Sequence, residues 1–240
     1  MKLVEFITRH SPHSRRKVMD FLKTGLITIN GKTADSLTVE VNEKHDVVCI
    51  QEKHIQYDGR FYYFKFNKPA GVISSLSDER DRVDLRDYMT QLPASVFPIG
   101  RLDRKTKGLL LFTNDGDFAH RISHPSYFIP KTYKLELDKP ITRGDAHRLT
   151  AGIVLEDGPV QFEKALLDSH RDMVVTLSEG RNRIVRRTFA HLGYEVVKLK
   201  RVSIGPILLG HLPEGDFAAL APHELRAMKE ILYSSDQVAA

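Results

Sequence analysis

The stretch RNRIVRRTFAHLGYEVVKLKRVSI, residues 181–204, predicts a helix that is followed directly by a strand. Its apolar residues Val185, Phe189 and Leu192 share one helical face, and Gly193 can end the helix because glycine tolerates a left-handed backbone. The segment after Gly193 is rich in valine and isoleucine, which is typical of a strand. A helix followed directly by a strand is therefore the first element pair of the predicted fold.

Further strand signals lie on the N-terminal side of this stretch, and a helix capped by Asn114 or Asp115 separates two of them. The predicted strands are FYYFKFNKPAGVISS (61–75), LLLFT (109–113), KTYKLEL (131–137) and DMVVTLSEG (172–180). Strands outnumber helices and follow one another without regular β-α-β alternation. We therefore predict an α+β fold for residues 61–233, with a mostly antiparallel mixed sheet flanked by helices.

Residues 1–55 form a separate, smaller unit in this interpretation. A helix begins after Ser14, whose side chain can cap it, and ends at Gly25. The pair Asn30 and Gly31 then favours a tight turn between short strands. We predict a helix-plus-hairpin domain, joined to the larger one by the polar linker QEKHIQYDGR (51–60).

Positive charge is concentrated in parts of this chain of 240 residues. The 36 Lys and Arg exceed the 31 Asp and Glu by a net +5, and residues 181–201 hold seven of these cations against Glu195 alone. Such clustering indicates a surface for a polyanion. No run is apolar enough to cross a membrane, so we expect a cytoplasmic protein. We also expect it to be a monomer.

One carboxylate lies in an unusually basic stretch, GRLDRKTKGLLLFTNDGD, residues 100–117. Asp103 is surrounded by Arg101, Arg104, Lys105 and Lys107. A surface salt bridge would be the ordinary explanation for an acid in such a place. Other features of the sequence are needed to distinguish a surface salt bridge from a functional carboxylate.

Three motifs resemble known RNA-binding and RNA-modifying proteins. SRRKVMDFLKTGLITINGKT (14–33) resembles the alpha-L RNA-binding module of a ribosomal protein. GRLDRKTKGLLLFTNDGD and EGRNRIVRRTFAHLGYEVVKLKRVSIGP (179–206) are similar to motifs of the RsuA/RluB family of ribosomal RNA pseudouridine synthases. The resemblance implies the pseudouridine synthase fold and an isomerase, an intramolecular transferase, that converts one uridine to pseudouridine. It also implies that no cofactor and no metal is needed.

The resemblance assigns roles to individual residues. It makes Asp103 the essential carboxylate, Arg186 its basic partner and Tyr133 the group that handles a proton beside the uracil. Arg101 would position the nucleotide, and Val185 would pack under the base.

The segment FNKPAGVISS (66–75) matches a further family motif. The resemblance implies that Lys68 and Pro69 shape the wall of the active site. The strand pattern alone would make Tyr133 a core residue, because it shares a face with Leu135 and Leu137.

Elementary chemistry is consistent with these roles. Breaking a glycosidic bond needs either a carboxylate that attacks the sugar or the ring, or stabilisation of the charge that develops as the base leaves. The target must also be extracted from its stack, at a cost of a few kcal/mol, which phosphate contacts can offset. The cations expected to supply those contacts are Arg15, Arg16, Lys17, Lys32, Arg181, Arg183 and Arg187.

Two alternatives stay open at this point. A noncatalytic RNA-binding or ribosome-assembly protein would be favoured if Asp103 were exposed and unpaired. A metal-dependent nuclease is disfavoured, because the acidic stretch SDERDRVD (77–84) is interspersed with arginine and no carboxylate cluster suits two metals. For the enzyme, HPSYFIPKTY (124–133) and EGRNRIVRR (179–187) resemble members acting on large-subunit RNA. The expected partner is ribosomal RNA or a pre-ribosomal particle.

Overall fold

The computed structural model describes residues 1–57, 59–76 and 82–234, so part of SDERDRVD and one linker residue lie outside the described chain. The chain divides into two compact units. The first contains Met1–Tyr63 with Gln91–Phe97 and Phe112–Asp117, and the second contains the remaining described residues. The domain limits 1–55 and 61–233 stay predictions.

The first unit contains two helices and a small sheet. Its elements are α1 (Leu3–His10), α2 (Arg15–Lys23), β1 (Ile27–Ile29), β2 (Lys32–Thr33), β3 (Val48–Ile50) and β4 (Lys53–His54). The strand order is β2-β1-β3-β4, and β1 pairs antiparallel with both neighbours. Side chains from both helices and from β1 and β3 form one buried core.

Local signals in this unit are confirmed at atomic detail. The Lys17 N–H donates to Ser14 Oγ at the start of α2, and Gly25 follows the helix with φ +67°. Asn30 and Gly31 both have positive φ, as a two-residue hairpin turn requires. The linker prediction is wrong at Lys53–His54, which form the edge strand β4.

A mixed sheet dominates the second unit. Its strands are β5 (Tyr63–Lys68), β6 (Phe97–Ile99), β7 (Lys107–Thr113), β8 (Lys131–Leu137), β9 (Ile153–Leu155), β10 (Gly158–Val160), β11 (Lys164–Leu167), β12 (Asp172–Leu177), β13 (Val196–Ile204), β14 (Ile207–Leu208) and β15 (Phe217–Ala219). β9 and β10 form a separate hairpin, and the others follow the order β11-β12-β8-β13-β7-β5-β15, with β14 on β13 and β6 on β7.

The helices complete this unit. They are α3 (Gly116–Ser123), α4 (Arg143–Ala151), α5 (Ile184–His191) and α6 (Pro222–Tyr233), with short 3-10 segments at Leu85–Gln91 and Pro125–Tyr127. Side chains of α4 and α5 join those of β8, β12 and β13 in the main core. The alternation of Leu135 and Leu137 on β8 places both side chains in this core.

β13 is the strand that connects the two halves of the sheet. It pairs antiparallel with β8 and parallel with β7, where Arg201 lies opposite Gly108. The other registered pairs in the sheet are antiparallel. The predicted α+β fold with a mostly antiparallel mixed sheet is therefore confirmed.

Candidate active site

A cavity of about 660 Å³ lies in the second unit. Its walls come from the loop before β7, from β8, from the start of α5 and from β13. Five residues implied by the family resemblance line it together: Arg101, Asp103, Tyr133, Val185 and Arg186. Arg181 and Arg183 line it too, whereas Lys68 and Pro69 are not among the lining residues.

Hydrogen bonds fix the loop that carries Asp103 to the loop after β5. Ser74 Oγ donates to the Leu102 carbonyl (2.8 Å) and accepts from the Leu102 N–H (3.1 Å). Arg104 Nε donates to the Gly71 carbonyl (3.0 Å), and the Gly71 N–H donates to the Arg104 carbonyl (2.8 Å). Asp103 is held between these anchors, and its carbonyl accepts from the Thr106 N–H (2.9 Å). These hydrogen bonds fix the backbone at Asp103.

The Asp103 side chain is half-buried. Within the described chain its carboxylate makes no hydrogen bond and no ion pair, so the ordinary explanation of a surface salt bridge is wrong. Among the described lining residues it is the single carboxylate against eight cations, namely Arg82, Arg101, Arg104, Lys131, Arg181, Arg183, Arg186 and Arg201. An unpaired acid in such a cavity is available to a ligand.

Lys68 stabilises the turn after β5, to which the Asp103 loop is hydrogen-bonded. Its side chain is fully buried, and Nζ donates to the carbonyls of Pro69 and Val72, both at 2.8 Å. Burial lowers the pKa of Lys68 to about 8, and the charge of Asp103 opposes that shift. Lys68 therefore braces the turn that holds the Asp103 loop, without lining the cavity.

Arg186 lies in the first turns of α5 and is only partly engaged. Its Nη1 donates to the Val196 carbonyl (2.5 Å), while Nε and Nη2 are buried and have no hydrogen-bond partner in the described chain. Burial and then Arg183 lower the pKa of the Arg186 guanidinium, and Asp103 opposes this shift. The predicted partnership between Arg186 and Asp103 is electrostatic here, without an ion pair.

Tyr133 and Val185 connect the cavity to the core. Val185 is buried in the main core, and the partly buried Tyr133 packs against the same core. Both also line the cavity. The strand pattern, which indicated a core position for Tyr133, and the motif, which indicated a site position, are therefore both correct. On one face of β8, Leu135 and Leu137 lie in the core, and Tyr133 lies at the border between the core and the cavity.

Among the polar residues of the cavity that sequence reasoning missed are Thr106, Lys131 and Arg201. Lys131 is two residues before Tyr133, so the alternation of the strand could have placed it on the same face. Arg201 is 5% exposed although it is a strand arginine, and no local pattern indicates that burial.

Two of the predicted RNA-binding residues are engaged within the protein. Arg187 forms an ion pair with Asp157, and Arg181 forms ion pairs with Asp157 and Glu179. The hydrogen bond from Arg187, together with the charges of both arginines, lowers the pKa of Asp157 to about 2. These two arginines hold the β9–β10 hairpin, whereas Arg183 is exposed and has a left-handed backbone (φ 49°).

The predicted RNA-binding residues of the first unit are all exposed. Arg15, Arg16 and Lys17 begin α2, and Lys32 lies on β2. Because the N–H groups of a helix start carry partial positive charge, α2 adds to the attraction for anions.

Within residues 1–57, 59–76 and 82–234, no group of three His, Cys, Asp or Glu side chains could hold a metal ion. In the same residues, no helix has the length and apolar character needed to span a membrane.

Comparisons with known proteins agree with this geometry. The family model described as RNA pseudouridylate synthase matches residues 62–191. A ribosomal large subunit pseudouridine synthase B of Bacillus subtilis (strain 168) is 36% identical over 236 residues, which cover 96% of each chain. An RNA pseudouridine synthase of Aquifex aeolicus (strain VF5) is 34% identical over 230 residues, covering 94% of this chain and 92% of its own.

A solved structure described as a pseudouridylate synthase superposes with a TM-score of 0.68 at 29% identity, covering 95% of this chain and 99% of the other. The family model spans more than half of the chain, and the Bacillus relative aligns along nearly all of it. The chain is therefore an enzyme of the RNA pseudouridylate synthase family and belongs to its RsuA/RluB branch.

Proposed function

We propose that this enzyme isomerises one specific uridine of ribosomal RNA to pseudouridine, and that the uridine lies in the large-subunit RNA. The observation that carries the proposal is the half-buried carboxylate of Asp103, which stands against eight cations among the described residues that line the cavity. The name of the Bacillus relative supports the choice of ribosomal RNA and of the large subunit.

In the proposed reaction Asp103 acts on the flipped nucleotide, either at the sugar carbon C1′ or on the uracil ring. Arg186 balances the charge of Asp103, and Tyr133 handles a proton beside the base. Val185 packs under the ring, and Arg101 positions the nucleotide. Lys68 and Pro69 contribute by shaping and bracing the loops behind the site.

RNA binding is proposed to be shared by an alpha-L domain, residues 1–55, and a catalytic domain, residues 61–233. Arg15, Arg16, Lys17 and Lys32 would contact phosphates of a neighbouring RNA helix, because such contacts read backbone and shape. The partner is ribosomal RNA or a pre-ribosomal particle, bound by a monomer. We place this activity in the cytoplasm.

Asp103→Asn tests the enzyme proposal directly. The substitution keeps the size of the side chain but removes its charge and nucleophilicity, so the single-turnover rate should fall by roughly 10³-fold or more. RNA affinity should be unchanged or slightly stronger, because a negative charge is lost near phosphate. The measurement is conversion of uridine in a ribosomal RNA fragment at saturating enzyme.

Asp168→Asn is the matched control, since Asp168 is exposed and its side chain has no hydrogen bond in the described chain. It should convert uridine at the wild-type rate. A wild-type rate for Asp103→Asn would reject the catalytic role and favour the noncatalytic RNA-binding alternative. Mapping pseudouridine in ribosomal RNA from cells with and without the protein would then identify the target position.

A further inference from the structure

Lys131 and Arg201 occupy the same face of the sheet as Tyr133. Lys131 and Tyr133 are two residues apart on β8, and Arg201 lies directly opposite Tyr133 on β13. All three line the cavity. One side of the cavity therefore presents a phenol and two cations.

These two cations are only partly engaged by the protein. Arg201 uses Nε to bind the Leu109 carbonyl (2.8 Å), and its buried Nη2 has no hydrogen-bond partner in the described chain. Lys131 donates one hydrogen bond, to the Ile129 carbonyl (2.7 Å), which leaves two of its three donor protons. Neither side chain forms an ion pair within the described residues.

The proximity of the positive charges of Lys131 and Arg201 lowers the stability of the folded protein. Burial and then Arg201 lower the pKa of Lys131 to about 8, and Glu163 before β11 opposes the shift only in part. Glu163 is itself exposed and accepts a hydrogen bond from Ser178. Desolvated cations held together without a counterion destabilise a fold, so their presence in a cavity indicates an anionic ligand or intermediate.

We propose that Lys131 is a catalytic residue that, supported by Arg201, stabilises the negative charge that develops on the uracil ring during isomerisation. This inference rests on the proposed function, because it assigns a charge-stabilising group to that same reaction.

The electron count requires such a charge by either route. If C1′ is attacked or ionised, the C1′–N1 bond breaks and its electron pair stays on uracil, which becomes an anion delocalised over the ring and its oxygens. If the ring is attacked first, the displaced π electrons move onto the same oxygens. After rotation, C5 uses an electron pair to bond to C1′, and a bond that Asp103 has formed to C1′ or to the ring breaks and returns its electron pair to the carboxylate. C5 then loses its proton and N1, whose bond to C1′ has been broken, gains one, so the sequence is redox-neutral.

Cations that are already positioned beside the uracil stabilise its developing negative charge effectively. They need no reorganisation when the charge appears, and a site that excludes water strengthens the interaction. Lys131 and Arg201 are held by backbone carbonyls before substrate arrives, which is the preorganisation that this effect needs.

Lys131→Gln is the primary test. At saturating RNA the single-turnover rate should fall roughly 10²-fold, the size of effect seen when one donor to a developing oxyanion is removed, while RNA affinity changes less than about threefold. Lys134→Gln is the matched control on the same strand, since Lys134 is exposed and points to the opposite face. It should retain the wild-type rate.

A binding measurement on the unmodified protein makes the test independent of whether the variant folds. Barbiturate is a planar pyrimidine anion that resembles ionised uracil, so it should bind the wild-type cavity at least tenfold more tightly than neutral uracil. Ligand-detected NMR can compare the two probes. The preference should disappear in Lys131→Gln and persist in Lys134→Gln.

The proposal is overturned if Lys131→Gln converts uridine at the wild-type rate, or if the wild-type protein shows no preference for barbiturate over uracil. If Asp103→Asn is inactive while Lys131→Gln is fully active, the proposed function stands and only the role of Lys131 fails. If Asp103→Asn is also fully active, the proposed function fails first.

Discussion

At the scale of single residues, Lys68 shows how one buried charge couples the site to stability. Its pKa of about 8 lies below the ordinary value of 10.5. Between these pH values the unfolded chain binds the proton and the native protein does not, so the free energy of unfolding should rise with pH through this window. Below pH 8 the cost of the buried ammonium is fully present, and above 10.5 it is absent. The full change is about 3 kcal/mol.

Lys68→Met isolates this contribution, because the variant has no ammonium to titrate. Urea unfolding of both proteins at pH 7, 8, 9 and 10 should show the wild type gaining stability relative to the variant. A difference that stays constant across these pH values would show that Lys68 is not the buried group responsible.

At the scale of secondary-structure elements, the close approach of β7 and β13 positions both the Asp103 loop and Arg201. A Cβ added to Gly108 would lie 2.2 Å from the Arg201 carbonyl oxygen, and Gly108 has φ +102°. Gly108→Ala should therefore destabilise the protein by about 3 kcal/mol or more, through overpacking and backbone strain together. Gly210→Ala is the control, since its φ is +61° but nothing lies within 4 Å, so backbone strain alone costs about 1 kcal/mol. Equal urea midpoints for the two variants would contradict this account of the strand pair.

At the scale of the whole molecule, the net charge of +5 matters through its distribution. Arg15 and Arg16 are exposed at the start of α2, so the variant Arg15→Gln, Arg16→Gln should weaken RNA binding and flatten its salt dependence. Loss of two phosphate contacts lowers the slope of log affinity against log salt by about 1.5. Lys44→Gln with Lys53→Gln removes the same charge from other exposed positions of the first unit and should change the slope much less. Identical slopes for the two double variants would show that Arg15 and Arg16 make no specific phosphate contacts and contribute only through the net charge of the protein.

Local signals in the sequence were sufficient for several elements. The alternation in KTYKLEL predicted a strand with the limits that β8 has, and Ser14 and Gly25 marked the two ends of α2. These predictions succeeded because capping, turn geometry and alternation depend on residues a few positions apart. The short hairpin of β9 and β10 and helix α4 were not predicted, since their patterns are brief or weak. Helix α6 was also not predicted, although Pro222 marks its start.

The sequence by itself determined the α+β class, the basic surfaces and, through motif resemblance, the family and the prominence of Asp103. Only the tertiary structure showed that Arg201 lies beside Tyr133, and that Arg181 and Arg187 form ion pairs with Asp157. The physical reason is distance along the chain. Strand register and ion pairing bring together residues that are far apart in sequence, and no local preference encodes which of many possible partners is chosen.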